Sequence, residues 1–278
     1  MAATIKSEWV FEADCRAEAA VHGLSSADGR FVLQAKLGDG GHGRVYRALD
    51  TKYARQVALK FAPRGNGHGW RAVRREVDVR RKLHDRSCVV AALGLYEVAW
   101  AARQFVAVSL EFVPAGTLRD WLKRHEASHG YRLEKGLQLF AGLCDSVAVF
   151  HAQGFLHLDL KPANVLLTAS SPVLCDLASS ISLRHEKNVK ESPSHRVYST
   201  PAYTAPELWR GEDPQRVGAR ADCYALGCIG YEIFSRECRP PFSGGADRQR
   251  TGHLFETPAR LGGVPEHIRR VIQRCLEK

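Results

Sequence analysis

Polar and apolar side chains are interspersed along short segments in the first third of the chain. In residues 44–49 polar and apolar side chains are mixed, as they are in a half-buried strand. Four further short runs predict strands over 31–37, 56–61, 93–98 and 105–110. Between the third and the fourth of these five strands, Trp70, Val73 and Val77 fall on one stripe and predict a helix over 70–83.

Beyond residue 116 the apolar side chains recur at helical spacing instead. This spacing predicts helices over 136–151, over 222–233, which is apolar on almost every side, and over 266–276. The segment 111–116 joins the two halves. A β-rich front followed by a helical rear predicts an α+β fold of two lobes, with a ligand-binding cleft at their junction.

Composition places the chain among globular proteins and excludes several classes. Of 278 residues, 45% are hydrophobic and 25% are charged, which suffices for one large core or two smaller ones. The net charge of +10 is spread along the chain without interleaved aromatic residues, so no nucleic acid partner is expected. No apolar run of about twenty residues is present, so no membrane span is expected. The eight cysteines form no C-x-x-C pair and are expected to be reduced thiols in an intracellular, cytoplasmic protein, with a nuclear location also open.

A glycine-rich motif follows the first predicted strand. Gly38, Gly40, Gly43 and Val45 fit the pattern G-x-G-x-x-G-x-V, in which glycines let backbone N–H groups approach phosphate. Dinucleotide-binding folds share the glycine spacing, but they place a helix directly after it. Here the predicted strand at 44–49 follows instead, and Lys60 comes in the next predicted strand, which favours a different kind of nucleotide site over a dinucleotide fold. A plain glycine-rich hairpin is the alternative.

Lys60 ends an apolar predicted strand, where its charge needs a partner. Glu76 follows Val73 by three residues, so it can face inward beside the apolar stripe of the predicted helix and pair with Lys60. The alternative is a solvated Glu76 that pairs with Arg80, four residues later on the same helix.

The segment 157–164 reads His-Leu-Asp-Leu-Lys-Pro-Ala-Asn and holds an acid, a lysine and an amide at fixed offsets. Asp176 follows an apolar run twelve residues later, and the segment 200–207 reads Thr-Pro-Ala-Tyr-Thr-Ala-Pro-Glu. Together with the glycine motif and Lys60, these motifs stand in the order found in eukaryotic-type serine/threonine protein kinases. The chain resembles the catalytic domain of that family over residues 31–278.

The resemblance implies a bilobal fold. An N-terminal lobe at about 31–111 would hold a five-stranded antiparallel sheet with one helix, and a C-terminal lobe at about 117–278 would be mainly helical. Residues 1–30 would form an N-terminal extension, and the C-terminal end looks truncated beside the family. The implied activity is transfer of the γ-phosphate of Mg-ATP to a serine or threonine hydroxyl of a protein substrate. A pseudokinase scaffold, which binds nucleotide or partners with little or no phosphoryl transfer, is the alternative.

The resemblance also implies roles for single residues. Asp159 would accept the proton of the substrate hydroxyl, and Lys161 would offset charge on the transferred phosphoryl group. Lys60 would hold the α- and β-phosphates, and Thr200 is typical of the serine/threonine subclass. Asp222 would brace the backbone of the catalytic loop from a buried helix. The residues expected to hold Mg²⁺ are Asn164 and Asp176. The residues expected to contact ATP are Leu37, Gly38, Gly40, Gly43, Val45, Ala58, Lys60, Glu76, Leu110, Glu111, Val113 and Leu166.

Three of the departures from the family pattern lie beside predicted site residues. Leu158 replaces the arginine that receives a phosphate of the activation loop, so we expect activity that depends little on phosphorylation of that loop. Leu177 and Ala178 replace a Phe-Gly pair. Arg80 stands at an apolar position of the family, so either it extends to solvent while Val79 packs inward, or the lobe is loosely packed.

Overall fold

The computed structural model describes residues 29–40, 43–63, 68–100, 103–183 and 200–278. Most of the predicted extension at 1–30 and two residues of the glycine motif therefore lie outside the described residues. The chain forms two compact units. The N-terminal unit holds the described residues up to Lys82 and Val90–Pro114, and the C-terminal unit holds Leu83–Val89 and Ala115–Lys278.

The N-terminal unit contains a five-stranded antiparallel sheet and one helix. These elements are β1 (Phe31–Gly40), β2 (Gly43–Asp50), β3 (Arg55–Pro63), α1 (His68–Lys82), β4 (Ala92–Trp100) and β5 (Arg103–Glu111). The order in the sheet is β1-β2-β3-β5-β4, and every neighbouring pair is antiparallel. The predicted strands and helix are confirmed, and with them the α+β class with an antiparallel N-terminal sheet.

One face of this sheet carries the apolar core of the N-terminal unit. Cross-strand pairing sets Tyr46 opposite Leu59 and Phe61 opposite Ala107, so these side chains share one face. The buried members of this core, each at most 5% exposed, are Phe31, Leu33, Tyr46, Ala48, Val57, Leu59, Phe61 and Ala107. Because side chains alternate along a strand, the residues between them point to the opposite face.

The C-terminal unit is mainly helical. Its helices are α2 (Leu118–Arg124), α3 (His129–Ala152), α4 (Pro206–Trp209), α5 (Pro214–Val217), α6 (Arg220–Phe234), α7 (Ala246–Phe255) and α8 (Glu266–Cys275). Helix α6 is buried on most sides, as predicted, and Gly230 allows the close approach of α3. A Cβ atom added at Gly230 would lie only 2.9 Å from the ring of Phe140. The predicted helix at 136–151 begins earlier than expected, at His129, because its first two turns are largely polar and lack apolar spacing.

The described residues of the C-terminal unit also form four short strands. Strand β6 (Phe155–Leu156) pairs with β9 (Ile181–Ser182), and β7 (Val165–Leu167) pairs with β8 (Pro172–Leu174), both in antiparallel fashion. The segment 157–164 therefore lies between β6 and β7, held at both ends by strand pairing. In the described part of the chain, no helix combines the length and the apolar character needed to cross a membrane.

Candidate active site

The described residues of the glycine motif lie at the end of β1 and at the start of β2. Gly38 pairs with Val45, and Gly40 pairs with Gly43. Gly43 has a φ of +130°, and a Cβ atom there would collide with the carbonyl oxygen of Phe61. This position therefore requires glycine, both for its backbone conformation and for its close approach to β3.

The sheet register brings predicted nucleotide-binding side chains onto the face opposite the core. Val45 pairs with Lys60, and Ala58 pairs with Leu110 on the neighbouring strand. Because Ala58 and Lys60 are two residues apart on β3, all four side chains point to the same side. The predicted Leu37 is 48% exposed. Of the other predicted positions, Glu111 is exposed, Val113 is buried after β5, and Leu166 is half-buried in β7.

Glu76 forms two buried ion pairs in the N-terminal unit. Lys60 Nζ donates to Glu76 Oε2 at 2.8 Å, and Arg80 Nη2 donates to Glu76 Oε1 at 2.9 Å. Lys60 and Arg80 are each 4% exposed, and Glu76 is fully buried. The solvated alternative for Glu76 is wrong, although its pairing with Arg80 occurs. The alternative in which Arg80 extends to solvent is also wrong, because Glu76 and the carbonyl of Val90 offer acceptors inside.

In the C-terminal unit, Asp222 braces the backbone at the start of segment 157–164. The carboxylate of Asp222, on α6, accepts from His157 N at 2.7 Å and from Leu158 N at 2.8 Å. It also contacts His151 Nε2 at 2.8 Å. The brace predicted for Asp222 is confirmed. Leu158 has a φ of +62°, a conformation that costs a non-glycine residue about 1–3 kcal/mol. The two backbone hydrogen bonds offset that strain and fix the next residue, Asp159.

Asp159 is the centre of a hydrogen-bonded set that joins the segments 157–164 and 200–207. Lys161 Nζ donates to Asp159 Oδ2 at 2.7 Å and to Thr200 Oγ1 at 2.7 Å. Thr200 Oγ1 and N donate to Asp159 Oδ1 at 2.8 Å and 3.0 Å. Asp159 is only 4% exposed, so its charge depends on these donors. The structure thus brings together three of the predicted catalytic residues.

Asn164 and Asp176 lie on adjacent backbone segments. Cys175 N donates to the carbonyl of Asn164 at 3.0 Å. The Asn164 amide nitrogen donates to the Asp159 carbonyl at 2.8 Å and to Asp159 Oδ2 at 3.1 Å. The amide oxygen of Asn164 therefore lies on the side of the amide group that does not donate to Asp159. Asp176 adopts a left-handed backbone, with φ 55° and ψ 65°. A carboxylate and an amide oxygen are hard donors, and this chemistry fits Mg²⁺.

The structure accommodates the two residues that replace the family's Phe-Gly pair after Asp176. Leu177 is fully buried and fills an apolar slot, and Ala178 is 6% exposed. Ala178 lies in a 3-10 turn and is not among the described residues with positive φ. Glycine is therefore not required at this position.

The family model for the protein kinase domain matches residues 31–278. The chain belongs to the protein kinase family. A probable serine/threonine-protein kinase of Streptomyces coelicolor is 32% identical over 221 residues, which cover 78% of this chain and 31% of that protein. The serine/threonine-protein kinase PknB of Mycobacterium leprae is 30% identical over 258 residues, or 90% of this chain and 40% of that protein.

A plant protein shows a similar likeness. The putative CBL-interacting protein kinase 27 of Oryza sativa subsp. japonica is 32% identical over 223 residues, which cover 77% of this chain and 51% of that protein. The chain therefore spans about a third to a half of the length of these kinases.

A second buried charge cluster in this kinase domain was not predicted from the sequence. Arg119 on α2 donates to both carboxylate oxygens of Glu232 on α6, and the hydroxyl of Tyr203 donates to Glu232 Oε2 at 2.6 Å. Burial raises the pKa of the Glu232 carboxyl above its usual range. The cluster anchors the segment 200–207 to α6. Of the three residues in this cluster, only Glu232 could have been singled out from the sequence, because a charge within an apolar helix needs a partner.

The burial of His253, on α7, leads us to expect that the free energy of unfolding of this domain depends on pH. Its ring is buried, contacts Tyr224 Oη through Nδ1 at 2.8 Å, and burial followed by the nearby Lys278 charge lowers its pKa to about 4. In the unfolded chain a histidine has a pKa of about 6.5. Between these values only the unfolded chain binds the proton, so the free energy of unfolding should fall by up to about 3 kcal/mol as pH drops from about 6.5 to 4.

Chemical denaturation of the wild type and of His253→Gln at pH 7 and at pH 4.5 measures this contribution. The variant should lose less stability than the wild type over the same interval. An equal loss in both proteins would show that other groups govern the acid sensitivity.

Proposed function

We propose that this chain transfers the γ-phosphate of ATP to a serine or threonine hydroxyl of a protein substrate and uses Mg²⁺, with 31–278 as the catalytic domain. The observation that carries the proposal is the set of donors around Asp159, to which Lys161, Asn164 and Thr200 all contribute. The family match and the similarity to serine/threonine protein kinases support the same conclusion.

ATP binding in the N-terminal unit is assigned to the sheet face opposite the core. Val45, Ala58 and Leu110 offer apolar side chains to the adenine ring, which is a flat and largely apolar group. Lys60, held by Glu76 at 2.8 Å, offers a fixed cation to the α- and β-phosphates. The other residues proposed to contact the nucleotide are Leu37, Gly38, Gly40, Gly43, Glu111, Val113 and Leu166.

The chemical step is assigned to the C-terminal unit. Asp159 accepts the proton of the substrate hydroxyl as its carboxylate is the acceptor at the centre of this set, and the hydroxyl would take the place of one of the four hydrogen bonds from Lys161, Asn164 and Thr200. Lys161 Nζ, 2.7 Å from Asp159 Oδ2, places positive charge beside the transferred group. Asn164 and Asp176 would hold Mg²⁺ through oxygen atoms, and bound Mg²⁺ would neutralise phosphate charge.

A phosphoryl-transfer assay tests the proposal. The protein is incubated with Mg-ATP and a generic protein substrate, and transfer to serine and threonine is measured with and without a chelator of Mg²⁺. We expect transfer that the chelator abolishes. A parallel preparation of Asp159→Asn excludes a contaminating kinase. Nucleotide binding without transfer in the wild type would support the pseudokinase scaffold instead.

Because Leu158 is buried and apolar, we expect that activity does not require phosphorylation of the activation loop. Its side chain is 4% exposed and lies with Leu208 and Ala225 around a small cavity, where the family carries a phosphate-binding arginine. An apolar side chain offers a phosphate no charge-assisted hydrogen bond. Phosphatase treatment should therefore change kcat by less than about threefold. A loss of about tenfold or more, reversed by rephosphorylation, would contradict this prediction.

A further inference from the structure

Arg80 is a buried cation one helical turn after Glu76 on α1. Its side chain is 5% exposed, and its neighbours Arg81 and Lys82 are exposed. A buried guanidinium is stable only where acceptors surround it. The family carries an apolar residue at this position. In this chain the two terminal nitrogens of Arg80 have acceptors, while its buried Nε has no hydrogen-bond partner among the described residues.

Two acceptors lie in different parts of the N-terminal unit. Arg80 Nη2 donates to Glu76 Oε1 at 2.9 Å, and Arg80 Nη1 donates to the carbonyl of Val90, two residues before β4. Lys60 Nζ donates to the other carboxylate oxygen, Glu76 Oε2, at 2.8 Å. Each cation thus uses its own oxygen atom, and Arg80 does not compete with Lys60 for Glu76.

This arrangement ties three segments together. Lys60 belongs to β3, Glu76 and Arg80 belong to α1, and Val90 precedes β4. A rotation of α1 that carried Glu76 away from Lys60 would also move Arg80 away from the Val90 carbonyl. Buried groups would then lose their partners at several points at once, which is costly in a low-dielectric interior. An apolar side chain at position 80 would add no such resistance.

We propose that Arg80 is a positioning residue that keeps α1 oriented so that the Lys60–Glu76 pair stays formed. In this chain the Lys60–Glu76 pair is then held by contacts inside the N-terminal unit. The segment 157–164 has Leu158 in place of the family's phosphate-binding arginine. The consequence for catalysis rests on the proposed kinase activity, because Arg80 acts through Lys60. The consequence for the structure of α1 does not.

Hydrogen exchange tests the structural part without any activity. Backbone amides of α1 and of the segment before β4 are compared in the wild type, Arg80→Leu, Arg80→Lys and the exposed control Arg81→Leu. We expect exchange in Arg80→Leu to be about tenfold faster or more, with Arg80→Lys in between and Arg81→Leu unchanged. Should leucine prevent folding, Arg80→Lys carries the test, because an ammonium cannot span both acceptors as a guanidinium does.

Steady-state kinetics on the same proteins test the catalytic part. Arg80→Leu should raise KM for ATP by about tenfold or more, while Arg80→Lys recovers part of the loss and Arg81→Leu matches the wild type. A purely structural role would lower the fraction of folded protein, and so the apparent kcat, at an unchanged KM. Wild-type exchange and wild-type KM in Arg80→Leu would overturn the proposal. If the wild type transfers no phosphate, the proposed function fails, and the exchange comparison still decides the role of Arg80.

Discussion

Replacement of Asp159 by asparagine is expected to lower kcat by about 10²–10⁴-fold, the usual contribution of a general base. The amide keeps the size of the side chain, but its single oxygen can accept either from Lys161, which donates to Oδ2 of Asp159 at 2.7 Å, or from Thr200, which donates to Oδ1 at 2.8 Å and 3.0 Å. It has no carboxylate to receive the proton of the substrate hydroxyl. Nucleotide affinity should therefore stay close to that of the wild type, because the proposed ATP contacts do not include Asp159.

The comparison needs kcat, the Kd for nucleotide and the unfolding midpoint for each protein. Asp247→Asn is a matched control, since Asp247 is an exposed aspartate at the start of α7. The control should leave all three quantities unchanged. An Asp159→Asn enzyme with more than about a tenth of wild-type kcat would remove Asp159 from the role of base.

Replacement of Arg132 by methionine is expected to lower the free energy of unfolding by about 3–5 kcal/mol, as does loss of one partner in a buried charged network. Arg132, in the first turn of α3, is fully buried. Its guanidinium donates to the carbonyls of His125 and Glu126, which follow α2, at 3.1 Å and 2.8 Å. It also donates to carbonyls at the end of α6, including Ser235 at 2.7 Å.

These carbonyls lie at helix ends, where the helix leaves its last C=O groups without partners and its dipole is negative. Methionine can fill the volume of Arg132 but offers no donor, so buried carbonyl groups would be left without partners.

Urea denaturation of the wild type, Arg132→Met and Arg124→Met measures this effect. Arg124 also donates to backbone carbonyls, of Asp120 and Ala115, but it does so on the surface. Its replacement should change stability by no more than about 0.5 kcal/mol, as is usual for exposed positions. A comparable, small loss in both variants would mean that water replaces the guanidinium of Arg132 at little cost.

The sequence predicted best where its pattern is local. Strands β2 and β3 and helix α1 were found because their apolar spacing reports which face is buried, whatever packs against it. The segment 157–164 was found because its acid, lysine and amide stand at fixed offsets along the chain. Helix α7 was missed, since its sequence Ala-Asp-Arg-Gln-Arg-Thr-Gly-His-Leu-Phe shows no apolar stripe.

In the candidate site as well, the sequence predicted the residues but not the contacts between them. The sequence named Asp159, Lys161 and Thr200, but the hydrogen bonds that join Thr200 to the other two span 39 and 41 positions. It offered Lys60 and Arg80 as alternative partners of Glu76, and the structure shows that both bind it. Two oxygen atoms of one carboxylate can serve two cations when both approach from buried positions, which the spacing of residues cannot reveal.

The sequence by itself determined the order of the motifs, the family and the residues proposed to carry the chemistry, because these depend on residue type and on short spacing. Only the tertiary structure decided the partners of the buried charges. Arg119 meets Glu232 across 113 positions, and Arg132 meets Ser235 across 103. A buried charge is stabilised by whichever acceptors the packed helices place around it, and those acceptors are set by how the elements pack rather than by neighbours along the chain.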